Sequence, residues 1–165
     1  MNKEQLYQRV GDIYYQCSLI IRESLGTVPS TAGNVAIFCQ TEDEYTKLTH
    51  IANQLVRPSD NPAQKYFQLV EPITIDATGE APATTLSWLY IRKPAEDSPE
   101  SGDVDYVLTQ ADYDKLKDQV KNGSIKGASI YERPGWDMVE FRSQDYNGLP
   151  YVSVEAMVEK VRVRF

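Results

Sequence analysis

Two stretches of the chain, "GNVAIFCQTEDEYTKL" at residues 33–48 and "GDVDYVLTQADYDKL" at residues 102–116, echo one another. Gly33, Asn34 and Val35 fall on Gly102, Asp103 and Val104, and with one residue removed Thr41, Tyr45, Lys47 and Leu48 fall on Thr109, Tyr113, Lys115 and Leu116. Each stretch reads as a strand running into a helix. Apolar alternation gives way to a capping Thr, an acidic residue three positions on, and apolar residues at helical spacing. Any strand leading into a capped helix shares these features, so the constraint comes from the segments downstream of each copy. Each stretch continues into about three more strand-like segments, and "LYIRKP" and "VEFRSQ" each place an Arg near the end of what reads as a fourth strand. An internal repeat is expected, and a chain built from it has to fold as two related units.

The surrounding sequence supplies the other elements. Residues 2–25 carry Leu6, Val10, Ile13, Cys17, Ile20, Ile21 and Leu25 at three- and four-residue spacing, with Gly26 as a stop, which predicts an amphipathic helix. Its stripe has to be covered by its own domain or by a second copy of the chain. The first unit is expected to hold strands at 34–40, 65–70, 73–77 and 85–92, with a helix opened by Thr41. The second has strands at 103–108, 125–132, 136–142 and 150–154, with a helix from Thr109 to Asn122 and Gly123. "VRVRF" alternates as a further strand would, and "VSVEAMVEKV" before it fits a strand or a helix. "KPAEDSPESG" is the internal boundary. The organisation read from these elements is one domain, 1–165, made of a helix (1–26), a first module (34–94) and a second module (103–165).

Composition narrows the classes of function. With 24 acidic against 17 basic residues and a net charge of −7, the chain lacks the cationic excess from which nucleic-acid binding draws its affinity. No apolar stretch approaches the length of a membrane span. The first residues lack a basic head with an uninterrupted apolar core, so a cytoplasmic protein is expected. Cys17 and Cys39 have no metal-binding or redox spacing and read as buried thiols. His50, the only histidine, lies mid-helix with no nucleophile arrangement around it.

Two βαβββ units in tandem, each with a strand running into a Tyr-and-Leu helix, together with the closing stretch "RPGWDMVEFRSQDYNGLPYV", resemble the vicinal oxygen chelate superfamily of glyoxalases, bleomycin-resistance proteins and extradiol dioxygenases. The resemblance covers residues 34 to about 154. It implies an α+β fold in which two tandem βαβββ modules form curved mixed sheets around a pocket, here with an extra N-terminal helix. The family's enzymes hold a divalent ion with His or Gln on first strands and Glu on a fourth, positions that correspond to Asn34, Tyr90, Asp103 and Glu140. None is a histidine. The family's usual metal centre is therefore not expected, nor any other cofactor; a metal, if held, would rest on Asp103 and Glu140 and be of the Mg, Ca or Mn type.

Strand alternation sorts the two faces without any family. Val35, Ile37 and Cys39, Val104, Tyr106 and Leu108, Leu89 and Ile91, and Val139 and Phe141 suit the helix side. The opposite face carries Asn34, Ala36, Phe38 and Gln40 on one strand and Asp103, Asp105 and Val107 on its counterpart. It also carries Trp88, Tyr90 and Arg92, and Trp136, Met138, Glu140 and Arg142. Aromatic walls with a few charges describe a pocket if that face is concave, and a solvated face if it is not. The expected function is binding of a small polar or aromatic ligand by Phe38, Gln40, Trp88, Tyr90, Arg92, Asp103, Asp105, Trp136, Met138, Glu140 and Arg142. Arg92 and Arg142 would clamp an anion, and Trp88, Tyr90 and Trp136 would stack on a flat group. One alternative is a divalent-metal-dependent lyase, isomerase or dioxygenase using Asp103 and Glu140. The other is a protein-interaction module, or a homodimer, through the N-terminal helix.

Overall fold

The computed structural model describes residues 1–164. In chain order the elements are α1 (Lys3–Leu25), β1 (Ala32–Phe38), α2 (Glu42–Ala52), β2 (Phe67–Ile75), β3 (Thr84–Arg92), β4 (Gly102–Val107), α3 (Gln110–Lys121), β5 (Ala128–Arg133), β6 (Trp136–Phe141), β7 (Leu149–Ser153) and α4 (Glu155–Val161). The fold is α+β. The strands form one seven-stranded mixed sheet in the order β2-β3-β1-β4-β7-β6-β5, so the two expected curved sheets are a single continuous one.

β1 and β4 meet antiparallel at its centre, with Val35 opposite Val104, Asn34 opposite Asp105 and Ala36 opposite Asp103. The central pair is the pair that the sequence echo aligns. On either side the next strand runs parallel: β3 beside β1, with Ala36 opposite Tyr90, and β7 beside β4, with Asp105 opposite Tyr151. Tyr90 and Tyr151 therefore occupy matching places in the two halves. The halves differ in strand number. The segments expected at 65–70 and 73–77 form one strand, β2, whose register against β3 shifts between Gln68 and Ile73. Pro72 lies in that irregular stretch, where a residue without a backbone N–H is tolerated. The first half is thus βαββ and the second βαβββ.

This topology also separates the two arginines that looked alike in sequence. Arg92 ends β3, which runs parallel to β1, whereas Arg142 comes just after β6, which is antiparallel to its neighbours β5 and β7. They are not equivalent, although "LYIRKP" and "VEFRSQ" share a pattern.

The helix caps form as the residue types dictate. Thr41 Oγ1 accepts from Glu44 N at 3.1 Å and Thr109 Oγ1 from Asp112 N at 3.2 Å, satisfying amide donors that lack helical partners. Asn2 caps α1 in a capping box with Gln5, and Gly26, at φ 75°, ends it. α1, α2 and α3 cover one face of the sheet, where Leu6, Val10, Leu48 and Leu116 pack with Val35, Ile37, Val104, Tyr106 and Phe141.

α1 is integral to this layer. Leu6, Val10, Ile13, Cys17, Ile20 and Ile21 are all buried within the chain, each aliphatic side chain contributing about 2 kcal/mol of transfer free energy. Ser18 and the Tyr106 hydroxyl hydrogen-bond at 2.8 Å beneath it. The stripe considered for a dimer or partner interface is therefore used up on the chain's own sheet. Cys17 and Cys39 are free, buried thiols, with Cys39 pushed up to about 12 mainly by burial.

The tail departs from expectation. Residues 155–161 form a helix, one of the two readings of "VSVEAMVEKV", with Val158 and Val161, three apart, buried on one side of it; residues 162–164, from "VRVRF", form no strand. Phe165 lies outside the described residues. α4 packs on the opposite face of the sheet, with Val158 and Val161 joining Ala36, Phe38, Trp136, Met138 and Leu149.

Two glycines test this packing. A Cβ on Gly102 would lie 2.2 Å from Ala36 O and 2.7 Å from Ile13 Cδ1, whereas one on Gly11, mid-α1, would meet nothing within 4 Å. Gly102→Ala should destabilise by about 3 kcal/mol or prevent folding. Gly11→Ala should stabilise by about 0.5–1 kcal/mol. Urea midpoints measure both; equal effects would contradict the placement of α1 over the β1–β4 junction.

Candidate functional site

The face opposite α1 carries a half-open cavity of about 320 Å³, within the size range of small-molecule sites. Strand alternation sends Phe38, Tyr90, Asp103, Asp105, Trp136, Met138 and Glu140 into it, and Arg92 and Arg142 stand at strand ends around it. Nine of the eleven expected residues thus converge. Gln40 and Trp88 do not line the cavity. Gln40 lies past the end of β1, where its Nε2 donates to the carbonyls of Phe38 (3.2 Å) and Glu100 (3.2 Å), tethering the loop before β4. Trp88 faces the same side as Tyr90 but is covered by the Arg162 guanidinium, 4.4 Å from its ring centroid.

Several lining residues are not among those expected from sequence: Tyr66, Tyr131, Tyr151, Leu149, Val161 and the loop residues Asp97, Ser98 and Glu100. Tyr151 was within reach, because its place opposite Asp105 in the parallel pair β4–β7 puts it on the carboxylate face. Tyr66 and the 97–100 loop lie outside regular strands, where alternation carries no information.

Aromatic rings form the walls in two groups. Tyr66 and Tyr90 lie with centroids 5.4 Å apart, and Tyr131 lies 5.8 Å from Trp136 and 5.6 Å from Tyr151. Carboxyls between them anchor the phenols. The Tyr66 hydroxyl donates to Asp103 at 2.9 and 3.2 Å, and the Tyr151 hydroxyl donates to Glu140 at 3.0 Å. Asp105 accepts from Asn34 Nδ2 at 2.7 Å.

The arginines are engaged. Arg142 Nε donates to Glu140 (2.7 Å) and its Nη1 to Glu100 (2.6 Å). Its side chain is 59% exposed while those carboxylates are 11% and 13% exposed, so it neutralises them from the rim. Arg92 stacks on Phe38, 4.3 Å from the centroid, and donates to Ser98 Oγ at 2.9 Å. Arg142 therefore does not offer the unpaired guanidinium that a two-pronged anion clamp needs.

Burial pushes Asp103 up to about 7, against the Tyr66 hydroxyl and the Arg92 guanidinium, which pull it down. Asp105 is pushed well above the usual carboxylate range by burial and by the charge of Asp103. Tyr151 is also raised, by burial and then by Glu140 and Asp103.

Of the four positions that the resemblance implies for a metal, Asn34, Asp103 and Glu140 are hydrogen-bonded within the chain. The Asn34 amide is engaged at both ends, its Nδ2 with Asp105 and Val158 O and its Oδ1 with Arg162 Nε at 2.9 Å. Both Glu140 oxygens accept, from Arg142 and from Tyr151, and Asp103 accepts from Tyr66. Among the described residues no group of three or more His, Cys, Asp or Glu is placed to hold a metal ion.

Against known proteins, no family model and no curated sequence matches the chain. Among solved structures it is similar to a variant of Streptomyces coelicolor methylmalonyl-CoA epimerase in complex with 2-nitronate-propionyl-CoA, at 16% identity and a TM-score of 0.32, over 76% of this chain and 98% of that one. It is likewise similar to a methylmalonyl-CoA epimerase in complex with methylmalonyl-CoA and NH4+, at 15% identity and a TM-score of 0.33, over 78% of this chain and 97% of that one.

The raised Asp103 gives a stability signature. Because the folded state holds this proton at higher pH than the unfolded chain does, the contribution of Asp103 to stability is fully present below about pH 4 and is lost as pH rises through 7. Asp103→Asn should therefore gain on the wild type by about 2 kcal/mol between pH 5 and pH 8. Urea denaturation at the two pH values reads this; parallel losses in both proteins would mean that Asp103 does not titrate there.

Proposed function

We propose that the chain is a small-molecule-binding protein of vicinal-oxygen-chelate type whose ligand occupies the cavity between the two halves of the sheet and which works without the family's metal centre. The observation that carries this reading is the pair of buried carboxyls, Asp103 and Asp105, on the wall of an aromatic-lined cavity. Burying such groups is costly, and their hydrogen-bond partners, a phenol and an amide, do not neutralise them. A fold that needed only stability would place apolar residues there, as it does at Val104 and Tyr106 on the other face. The retained cost is characteristic of sites that trade stability for binding.

The ligand of the neighbouring structures is not carried over. A CoA ester brings several phosphates, and this cavity presents five carboxyls, Asp97, Glu100, Asp103, Asp105 and Glu140, against Arg92 and Arg142. Like charges brought together in a partly desolvated site oppose binding.

A thermal-shift screen of small polar and aromatic metabolites tests the reading. Compounds that stabilise the wild type should lose that effect in Tyr90→Ala, which opens one wall, and keep it in Val70→Ser, which alters an exposed position on the outermost strand. Shifts that persist unchanged in Tyr90→Ala would place binding elsewhere and remove the proposal.

A further inference from the structure

The cavity's chemistry narrows the class of ligand, on the footing of the binding function proposed for it. We propose that the ligand is a small organic cation, an alkylammonium whose charged nitrogen meets Asp103 and Glu140 while its apolar body lies against the rings of Tyr90, Trp136 and Tyr151.

Three independent features of the cavity point the same way. The lining is rich in acidic groups, five carboxyls against two guanidiniums, with Asp103 and Asp105 the two that burial inclines to hold their protons. The guanidinium on the rim is already committed, since Arg142 pairs with both Glu140 and Glu100. An incoming carboxylate or phosphate would have to displace one of these acids and then sit beside Asp103 and Asp105.

The rings supply the second feature. The same face already hosts cations: Arg92 lies over Phe38 at 4.3 Å, Arg162 over Trp88 at 4.4 Å and Arg133 over Tyr131 at 4.0 Å. Aromatic faces attract cations through their quadrupoles, more strongly where water is excluded. An ammonium entering the cavity meets surfaces of the kind the chain uses to hold its own arginines.

The third feature is hydrogen-bonding direction. Tyr66 and Tyr151 donate to the carboxylates, which turns their hydroxyl protons toward Asp103 and Glu140 and away from a ligand. A carboxylate has capacity for about four such bonds, so Asp103 retains acceptor sites beyond those engaged by Tyr66 and the Ala36 backbone. An ammonium donates only, and the site is rich in acceptors.

Protonation of Asp103 sets the pH dependence. It interacts electrostatically with Asp105 on its own strand, with Tyr66, with Arg92 and Tyr90 of β3, with Tyr151 of β7 and, through the sheet, with the Cys17 thiol of α1. Raised to about 7 chiefly by burial, it gains its charge between about pH 6 and pH 8, a range in which an alkylamine stays protonated. Affinity for the cation should rise across that range.

Calorimetric titration with three probes of one shape decides the matter: phenethylamine, its neutral counterpart phenethyl alcohol, and the anion hydrocinnamate. At pH 8 the amine should bind at least about tenfold more tightly than the alcohol, and the anion should not bind. The preference should shrink several-fold at pH 6. Asp103→Asn should weaken the amine about tenfold and flatten its pH dependence, while Arg92→Gln, which removes a competing cation, should tighten it about threefold. Should Asp103→Asn fail to fold by near-ultraviolet circular dichroism, the pH series and Arg92→Gln carry the test. Tighter binding of hydrocinnamate, abolished by Arg92→Gln, overturns the cation assignment and leaves the binding cavity standing. Amine binding indifferent to pH and to both substitutions also overturns it. If none of the three probes binds and the metabolite screen yields no cavity-dependent compound, the binding reading itself fails.

Discussion

The antiparallel pairing of β1 with β4 is the contact on which everything else is hung. It joins the two halves into one sheet, and it puts Val35 against Val104 at their centre. Because side chains alternate along a strand, this register sends Val35, Ile37, Val104 and Tyr106 under α1 and Ala36, Phe38, Asp103 and Asp105 to the other side. A slip of one residue would bury the carboxyls under α1 and expose the apolar set. The close approach of Gly102 to Ala36 O and Ile13 shows how tightly that register is held, since no side chain fits there.

From that centre the parallel neighbours inherit their orientation. β3 brings Tyr90 beside Ala36, and β7 brings Tyr151 beside Asp105, so one tyrosine from each half closes on the buried carboxyls. The cavity is thus a consequence of near-symmetry broken in its details. Asn34 and Asp103 occupy matching positions, and the first caps Asp105 while the second faces the open space. α4 supplies further asymmetry. It exists only after the second half, and the residue at its end, Arg162, lies over Trp88 and covers that ring.

Much of this was legible in the chain because two periodicities carry it. Helical spacing marked α1, α2 and α3, and the capping residues Thr41 and Thr109 sit where the caps form. Alternation sorted the two faces of β1, β3, β4 and β6 correctly, because a half-buried strand has to separate apolar from polar side chains. What alternation cannot give is partnership. It placed Arg142 near the carboxyls but could not show that Glu100, from a loop, meets it. Nor could it show that the last apolar residues fold back as a helix, since "VSVEAMVEKV" fits a strand as well as the helix that buries Val158 and Val161. The likeness of "LYIRKP" to "VEFRSQ" misled for the same reason: a short motif records local composition, and only the sheet order reveals that one strand lies beside its module's first strand and the other does not.

The unequal treatment of charges in the cavity is the most informative residue-level fact. The arginines are both engaged by the chain, one with two carboxylates at the rim and one with a ring and a serine. Asp103 and Asp105, by contrast, are buried with neutral side-chain donors against them. A buried carboxyl held by neutral groups is poised between its protonated and ionised forms, because desolvation raises its proton affinity and hydrogen bonds lower it. An incoming cation tips that balance toward the ionised form and is itself held by the charge it creates. In such a site ligand binding and proton release are linked, so the energetic cost of burying these carboxyls is the term that a ligand of the right charge removes.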